Sequence, residues 1–216
     1  MDEAGRGSIV GEMFVVAFAA PSGVEEKLRE LGVRDSKELT PQARARLYRE
    51  LAGLGVFRVV AVKPESIDRE NLNALTERAA LTALKLLAPA IGGWEAVSAI
   101  IVDRFGAPRR LPVELRRLGF RGLLIVEERA DKKYPHVSAA SIIAKHLRDA
   151  RIRVLSSLYG VEGSGYPSDP RTMEWVRRIL ESGRRPPIIR YSWASLREYG
   201  FGRKGARART LDEWLK

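Results

Sequence analysis

Four acidic residues lie at the edges of apolar runs, where their carboxylates could face one site. Asp2 and Glu3 precede the apolar run at residues 9–20, Asp103 ends the run "SAIIV", and Asp131 follows "GLLIVEER" closely. Carboxylate oxygens without histidine or thiol are the ligands that suit Mg²⁺ or Mn²⁺. Two such ions about 4 Å apart can activate water and stabilise the leaving oxygen of a phosphodiester. Taken alone, any one of the 27 acids is more often a helix cap or a surface ion pair.

Asp2 and Glu3 are adjacent, and adjacent side chains on a strand point to opposite faces of the sheet. Gly5 and Gly7 follow at once and allow the backbone to leave the strand there. Alternatively, the longer side chain of Glu3, or its backbone carbonyl, reaches round to the site of Asp2.

The elements that must position these acids follow from the apolar pattern. Continuous apolar runs predict strands over residues 9–20, 56–64, 97–106 and 122–129. Helices are predicted over 40–51, 71–90 and 138–160, the first with Thr40 as N-cap and Pro41 at its first position. Strands come first and then alternate with helices, which predicts a mixed α/β sheet. Asp131 is expected in the loop before the last helix.

Composition narrows the class of protein. A net charge of +11 and a pI of about 10.2 favour a polyanionic partner, nucleic acid before membrane, although the charged surface of a thermophile is the alternative. The chain has no cysteine, which excludes disulfides, thiolate nucleophiles and cysteine-ligated metals. No signal peptide and no apolar run of about 20 residues is present, so we expect a cytoplasmic protein.

A change of composition predicts the domain organisation. Residues 1–183 are expected to form one catalytic domain, and residues 184–216 a less compact, basic segment ending in a short helix. In that helix Leu211, Trp214 and Leu215 have the spacing of a helical plug for an apolar pocket. The alternative is a C-terminal helix docked on its own domain.

Five motifs in order resemble the ribonuclease HII family, most closely its archaeal form. They are "DEAGRG" at 2–7, "DSKELT" at 35–40, "IVDRFG" at 101–106, "ADKKYPHVSAASIIAKHLRD" at 130–149 and "GSGYPSDPRT" at 163–172. The resemblance implies a ribonuclease H-like fold, with a five-stranded mixed sheet flanked by helices and a C-terminal helical segment. It also implies an endonuclease that hydrolyses the RNA strand of RNA/DNA hybrids and cuts at single ribonucleotides in duplex DNA, leaving 3′-hydroxyl and 5′-phosphate ends.

The same resemblance assigns roles to the acids and to the residues around them. Asp2, Glu3, Asp103 and Asp131 are the expected catalytic ligands of two Mn²⁺ or Mg²⁺ ions. The expected substrate-binding residues are Gly5, Arg6 and Gly7, which read the ribose 2′-hydroxyl through backbone groups, Tyr166, which packs on the next sugar, and Lys37 and Lys145, which contact phosphate. Ser141 and Arg148 are weaker candidates for phosphate contacts. Only glycine lets a backbone approach a ribose this closely, and the 2′-hydroxyl distinguishes RNA from DNA.

The tail resembles a degenerate sliding-clamp-binding box, with Ala208 where glutamine is usual and Leu215 where an aromatic is usual. The family implies a monomer. Its members carry further strand residues before "DEAGRG", so we expect the true start to lie upstream of Met1. Two other functions use a similar sequence, namely a non-catalytic nucleic-acid-binding protein and an ATPase or sugar-kinase module. The first would lack one of the four acids, and the second needs later phosphate and adenosine loops that we do not find.

Overall fold

The computed structural model describes residues 1–33 and 39–201. Five strands form the centre of the fold: β1 (Asp2–Ala4), β2 (Met13–Ala19), β3 (Val56–Val62), β4 (Ala99–Asp103) and β5 (Leu123–Glu127). β1, β2 and β3 pair antiparallel, and β4 pairs parallel to β5.

The backbone of Met1 joins the two groups of strands. Its amino group donates to the carbonyl of Ile101 at 2.7 Å, and its carbonyl accepts from the amide of Asp103 at 3.0 Å. This is the bonding pattern of parallel neighbours, so the strand order is β3-β2-β1-β4-β5. The predicted five-stranded mixed sheet is confirmed, with three-residue β1 at its centre.

Eight α-helices surround the sheet within the described residues. They are α1 (Glu25–Glu30), α2 (Pro41–Leu54), α3 (Pro64–Arg69), α4 (Leu72–Leu87), α5 (Leu111–Arg117), α6 (Ala130–Lys133), α7 (Pro135–Tyr159) and α8 (Pro170–Glu181). The predicted start of α2 is confirmed, because the Thr40 hydroxyl accepts from the Ala43 amide at 3.2 Å and Pro41 needs no donor there. In this part of the chain, no helix has the length and apolarity needed to cross a membrane.

β2 is apolar throughout because helices cover both of its faces. Met13, Val15 and Ala17 pack with residues of α4, whereas Val16 and Phe18 pack with residues of α7 on the other face. The alternation follows from the two-residue period of a strand. The sheet is therefore the middle layer of three, and the ends of its strands remain free to carry polar groups.

The predicted strand over 9–20 is wrong at its start, since β2 begins at Met13. Gly11 has a φ of +83°, which ends an extended path, and Val10 instead forms an isolated bridge with Ile189. Ile9 and Val10 are buried in a separate apolar cluster with Trp175 and Val176 of α8.

Two further expectations need correction. Asp131 lies within α6, a single helical turn, and not in a loop. The stretch after residue 184 is not loosely packed where it is described, because Ile188, Ile189 and Leu196 belong to the same buried cluster as Ile9. Arginine and proline content suggested exposure, but the apolar residues between them pack inward. The division between residues 183 and 184 stays a prediction.

Candidate active site

Three of the predicted acids converge at one end of the sheet. Oxygen atoms of Asp2 on β1, Asp103 at the end of β4 and Asp131 on α6 all lie within 4.8 Å of one another. Met1 pairs with Ile101 and Asp103 at the end of β4, and this register sets Asp2 beside Asp103. We call these three residues the acidic cluster.

Hydrogen bonds to the carboxylates hold the acidic cluster in place. Asp103 accepts from the amide of Ala130 at 3.0 Å, which ties the first turn of α6 to the end of β4 and so delivers Asp131. Asp2 accepts from the Glu3 amide at 2.7 Å and from the hydroxyl of Ser141 on α7. The position of each acid therefore depends on another element of the site.

The acidic cluster is electrostatically costly without a cation. Burial, and then repulsion by Asp103, raises the pKa of Asp2 to about 6, although the Ser141 hydrogen bond and the charge of Lys145 oppose the shift. Burial also raises the pKa of Glu3 to about 8, with Asp2 and Asp103 adding to the effect and Arg6 opposing it. A bound cation would remove this cost, because it favours the ionised form of every carboxylate nearby.

Glu3 stands apart from the acidic cluster in the geometry. Its oxygens are not among the group that lies within 4.8 Å, although its pKa depends on both Asp2 and Asp103. Adjacent positions on β1 account for the separation. The role of Glu3 as a metal ligand stays a prediction.

The donor set of the acidic cluster fits a hard divalent cation. It consists of carboxylate oxygens alone, with no imidazole or sulfur in the group, and two of the three residues are buried. Oxygen ligands of this kind are the ones preferred by Mg²⁺ and Mn²⁺.

Next to the acidic cluster the chain makes a turn that we call the glycine loop, residues 5–11. Gly5 has a φ of +80°, and a Cβ atom there would lie 2.9 Å from the carbonyl oxygen of Glu12. The amide of Ser8 closes the turn on the carbonyl of Gly5 at 3.2 Å. Glycine is required at position 5 both by its backbone conformation and by the close approach.

The glycine loop is locked to the segment that carries Tyr166. The carbonyl of Gly165 accepts from the amides of Ile9 and Val10, at 2.9 and 3.2 Å, and from the Ser8 hydroxyl at 2.7 Å. A Cβ atom on Gly7 would lie 3.9 Å from the ring of Tyr166. The structure thus brings Gly7 and Tyr166 together, as their predicted roles require.

Charged side chains complete the surroundings. The Arg148 guanidinium lies 4.2 Å from the centre of the Tyr166 ring, and Arg148 donates to the Ser164 carbonyl. Lys145, on α7, lies near enough to lower the pKa of Asp2. Arg6 turns its side chain toward α4, where it donates to the Thr76 hydroxyl at 2.6 Å.

Some predicted site residues lie outside the described part of the chain. They are Lys37 and the tail residues Leu211, Trp214 and Leu215.

Sequence reasoning missed Arg190. This residue has no solvent exposure and donates to carbonyls of the glycine loop. The signal was an arginine set in the apolar stretch "PPIIRYSW", where a buried charge needs local acceptors.

Comparison with known proteins agrees with this geometry. The model of the family described as ribonuclease HII matches residues 1–196. The chain is 47% identical to ribonuclease HII of Aeropyrum pernix over 219 aligned positions, covering 100% of this chain and 96% of the relative. The chain belongs to the ribonuclease HII family. It is accordingly a ribonuclease H, a hydrolase that depends on a divalent metal ion. Ribonuclease HII of Hyperthermus butylicus is 44% identical, with 94% of this chain and 84% of the relative covered.

Solved structures of the ribonuclease HII family share the fold. Ribonuclease H2 of Pyrococcus horikoshii superposes with a TM-score of 0.78 at 37% identity, over 91% of this chain and 93% of that one. The ribonuclease HII in a complex with PCNA from Archaeoglobus fulgidus gives 0.76 at 34% identity, over 98% and 97%. The predicted ribonuclease H-like fold is confirmed.

Proposed function

We propose that this protein is an endonuclease that hydrolyses the RNA strand of RNA/DNA hybrids and cuts at single ribonucleotides in duplex DNA. The observation that carries the proposal is the position of the acidic cluster, whose oxygens lie within 4.8 Å of one another, beside the glycine loop. In the acidic cluster, which suits phosphodiester hydrolysis, Asp2 is thus followed closely along the chain by a backbone turn whose Gly7 is exposed. The products are a 3′-hydroxyl and a 5′-phosphate.

Asp2, Asp103 and Asp131, with Glu3 beside them, would hold two Mg²⁺ or Mn²⁺ ions. When bound, the ions supply an activated water and stabilise the leaving oxygen. The hydrogen bonds to Asp2 and Asp103 described above would hold these carboxylates in position for the ions. The positive charge of Lys145 near Asp2 favours the ionised form of that carboxylate, and Lys145 would also contact a phosphate of the substrate.

Selection of the scissile bond falls to the glycine loop and Tyr166. Backbone groups of Gly5, Arg6 and Gly7 would contact the ribose 2′-hydroxyl, since Gly7 is exposed and has no side chain to keep the sugar away. The Tyr166 ring, held under Arg148, would face the next sugar and favour a deoxyribose there. The enzyme would then recognise an RNA-to-DNA junction and not a base sequence.

The electrostatics and the family support further parts of the proposal. A net charge of +11 favours a nucleic-acid duplex, with Lys37 as a further phosphate contact, and predicts binding that weakens steeply with salt. We propose that the enzyme is a cytoplasmic monomer whose tail, through Leu211, Trp214 and Leu215, binds a sliding clamp. Support for the clamp comes from the PCNA complex formed by the Archaeoglobus fulgidus relative. Titration of a tail peptide with the clamp tests this, and no binding at high micromolar concentration would end it.

Cleavage of a duplex with one embedded ribonucleotide, in Mg²⁺ or Mn²⁺, tests the catalytic proposal. We expect one cut at the ribonucleotide, none in the matched all-DNA duplex, and none by Asp103→Asn. Glu181→Gln, an exposed carboxylate on α8, is the control and should cut like the wild type. Intact substrate with the wild type, or undiminished cutting by Asp103→Asn, would refute the proposal. Binding without cutting by the wild type would favour a non-catalytic nucleic-acid-binding protein.

A further inference from the structure

Arg190 is buried under the glycine loop and holds it from within. Its side chain has no solvent exposure. Nε donates to the carbonyl of Gly11 at 3.0 Å, Nη1 donates to the carbonyl of Arg6 at 3.0 Å, and its backbone amide donates to the carbonyl of Ile9 at 2.9 Å. One residue from the far end of the chain therefore binds three carbonyls of this loop.

The hydrogen-bond acceptors of Arg190 are unusual for a buried guanidinium. Among the described residues, the side-chain hydrogen bonds of Arg190 go to backbone carbonyls and none goes to a carboxylate, and Nη2 is buried with no partner. Burying such a group is unfavourable, and an apolar side chain would fill the same space at lower cost. What an apolar side chain cannot do is orient two carbonyls at once, which the rigid fork of arginine does.

Trp193 extends the same contact surface. Its indole Nε1 donates to the carbonyl of Gly7 at 3.4 Å, and its ring lies 5.2 Å from the Arg190 guanidinium carbon. The segment 190–193 thus binds the carbonyls of Arg6, Gly7 and Gly11 from one side.

The direction of these carbonyls decides what the loop presents to solvent. In a trans peptide the carbonyl and the following amide point in opposite directions. Fixing the carbonyl of Arg6 inward on Arg190 therefore turns the amide of Gly7 outward. Gly7 is exposed, and within the described residues its amide has no hydrogen-bond acceptor. The Tyr166 ring lies close to Gly7, 3.9 Å from where a Cβ of Gly7 would stand.

We propose that Arg190 is a positioning residue for ribonucleotide recognition, which fixes the backbone of the glycine loop without touching the substrate. The proposal rests on the proposed function, because it assigns the outward-facing backbone of this loop to the ribose. It predicts that discrimination between ribose and deoxyribose depends on Arg190, which is buried beneath the exposed backbone of the glycine loop.

The test compares Arg190→Lys with the wild type. The measured quantity is the inhibition constant of an all-DNA duplex divided by the KM for the same duplex with one ribonucleotide. The single nitrogen of lysine cannot occupy the positions of both Nε and Nη1, so the two side-chain hydrogen bonds cannot both keep their geometry, and we expect this ratio to fall about tenfold. Trp193→Phe keeps a ring beside the guanidinium and loses the bond to Gly7, and it should lower the ratio by a smaller factor.

Ile179→Ala controls for a merely structural effect. Ile179 lies in the apolar cluster beside the loop, is 5% exposed, and is given no role in the site. This variant should lower Tm and leave the ratio unchanged. If Arg190→Lys has the same ratio as the wild type, the inference is overturned. If Arg190→Lys does not fold, an unchanged ratio in Trp193→Phe overturns it instead. Cleavage by the wild type leaves the proposed function standing in either case. A wild type that neither cuts nor distinguishes the two duplexes would instead refute the proposed function.

Discussion

The acidic cluster and the glycine loop lie side by side, yet the fold holds them in opposite ways. In the acidic cluster, burial and the charge of Asp103 raise the pKa of Asp2 to about 6, so the ionised form is disfavoured. In the glycine loop, Gly5 adopts its positive φ without strain, and hydrogen bonds with Gly165 and Arg190 hold the residues that follow it. The carboxylates of the acidic cluster repel one another, whereas backbone groups of the glycine loop have hydrogen-bond partners within the protein.

The difference separates what a ligand must supply from what the fold supplies. A bound cation would stabilise the acidic cluster, because the carboxylates repel one another without it. The glycine loop is already shaped, since its partners come from the same chain. Substitutions in the two regions should therefore affect activity alike and affect stability with opposite sign.

The largest effect is expected for Asp2→Asn. We expect cleavage of the single-ribonucleotide duplex to fall at least about 100-fold, because one carboxylate of the metal site is lost. Mn²⁺ should raise the Tm of the wild type and not that of the variant, which differential scanning calorimetry measures. Glu181→Gln is the matched control on the surface of α8. Equal Mn²⁺ stabilisation of the wild type and Asp2→Asn would remove Asp2 from the metal site.

Gly5→Ala should reduce both activity and stability. An alanine at a φ of +80°, with its Cβ 2.9 Å from the Glu12 carbonyl, should lower the free energy of unfolding by about 1–3 kcal/mol. We expect cleavage to fall at least about tenfold, since the loop must shift. Gly183→Ala is the control, because Gly183 has a φ of +76° but a Cβ placed there would have no atom within 4 Å apart from its chain neighbours. This variant should lower the free energy of unfolding by about 1 kcal/mol and cleave normally. Equal losses of stability in the two variants, from urea unfolding, would contradict the close approach at Gly5.

The pH dependence of stability without metal distinguishes the two regions further. Burial raises the pKa values of Asp2 and Glu3 above those of free carboxyl groups. From these ordinary pKa values up to about pH 6, both groups are therefore more protonated in the folded protein than in the unfolded chain. Stability therefore falls as pH rises from about 4.5 to 6, and Tm falls with it. Above this window the amino group of Met1, whose pKa burial lowers to about 6, acts in the opposite direction and offsets Glu3.

Thermal unfolding in a chelator at several pH values measures this slope. Asp2→Asn should flatten it, and at pH 6 the variant should be more stable than the wild type. A steeper slope in the variant would mean that burial does not raise the pKa of Asp2.

Ser8→Ala is expected to have the smallest effect. The Ser8 hydroxyl is buried and lies 2.7 Å from the carbonyl oxygens of both Val10 and Gly165, so that its single proton can be donated to either one. The Gly165 carbonyl keeps its two amide donors, so the loss in unfolding free energy should be only about 1 kcal/mol, with little change in cleavage. Ser157→Ala, at an exposed hydroxyl of α7, should be close to neutral in the same urea titration. A loss of more than about 3 kcal/mol in the free energy of unfolding would show that Ser8 contributes more to stability than one hydrogen bond does.

Local patterns predicted much of the framework correctly. Thr40 and Pro41 specify the start of α2, and the apolar runs specify four of the five strands, because capping and burial depend on nearby residue types. The start of β2 was predicted too early, since Ile9 and Val10 are as apolar as strand residues and differ only in what they pack against. Asp131 was placed in a loop because a helix of four residues has no periodicity to detect.

By itself, the sequence determined which residues can do the chemistry: carboxylates for a divalent ion, and glycines where a backbone must turn sharply. Only the tertiary structure decided that Asp2, Asp103 and Asp131 share one edge of the sheet, and that Glu3 stands apart from them. It alone decided that Arg190, 184 residues from Arg6, orients the glycine loop. The physical reason is that every residue but proline offers the same backbone donor and acceptor. Residue type therefore says little about which distant side chain a backbone carbonyl will meet.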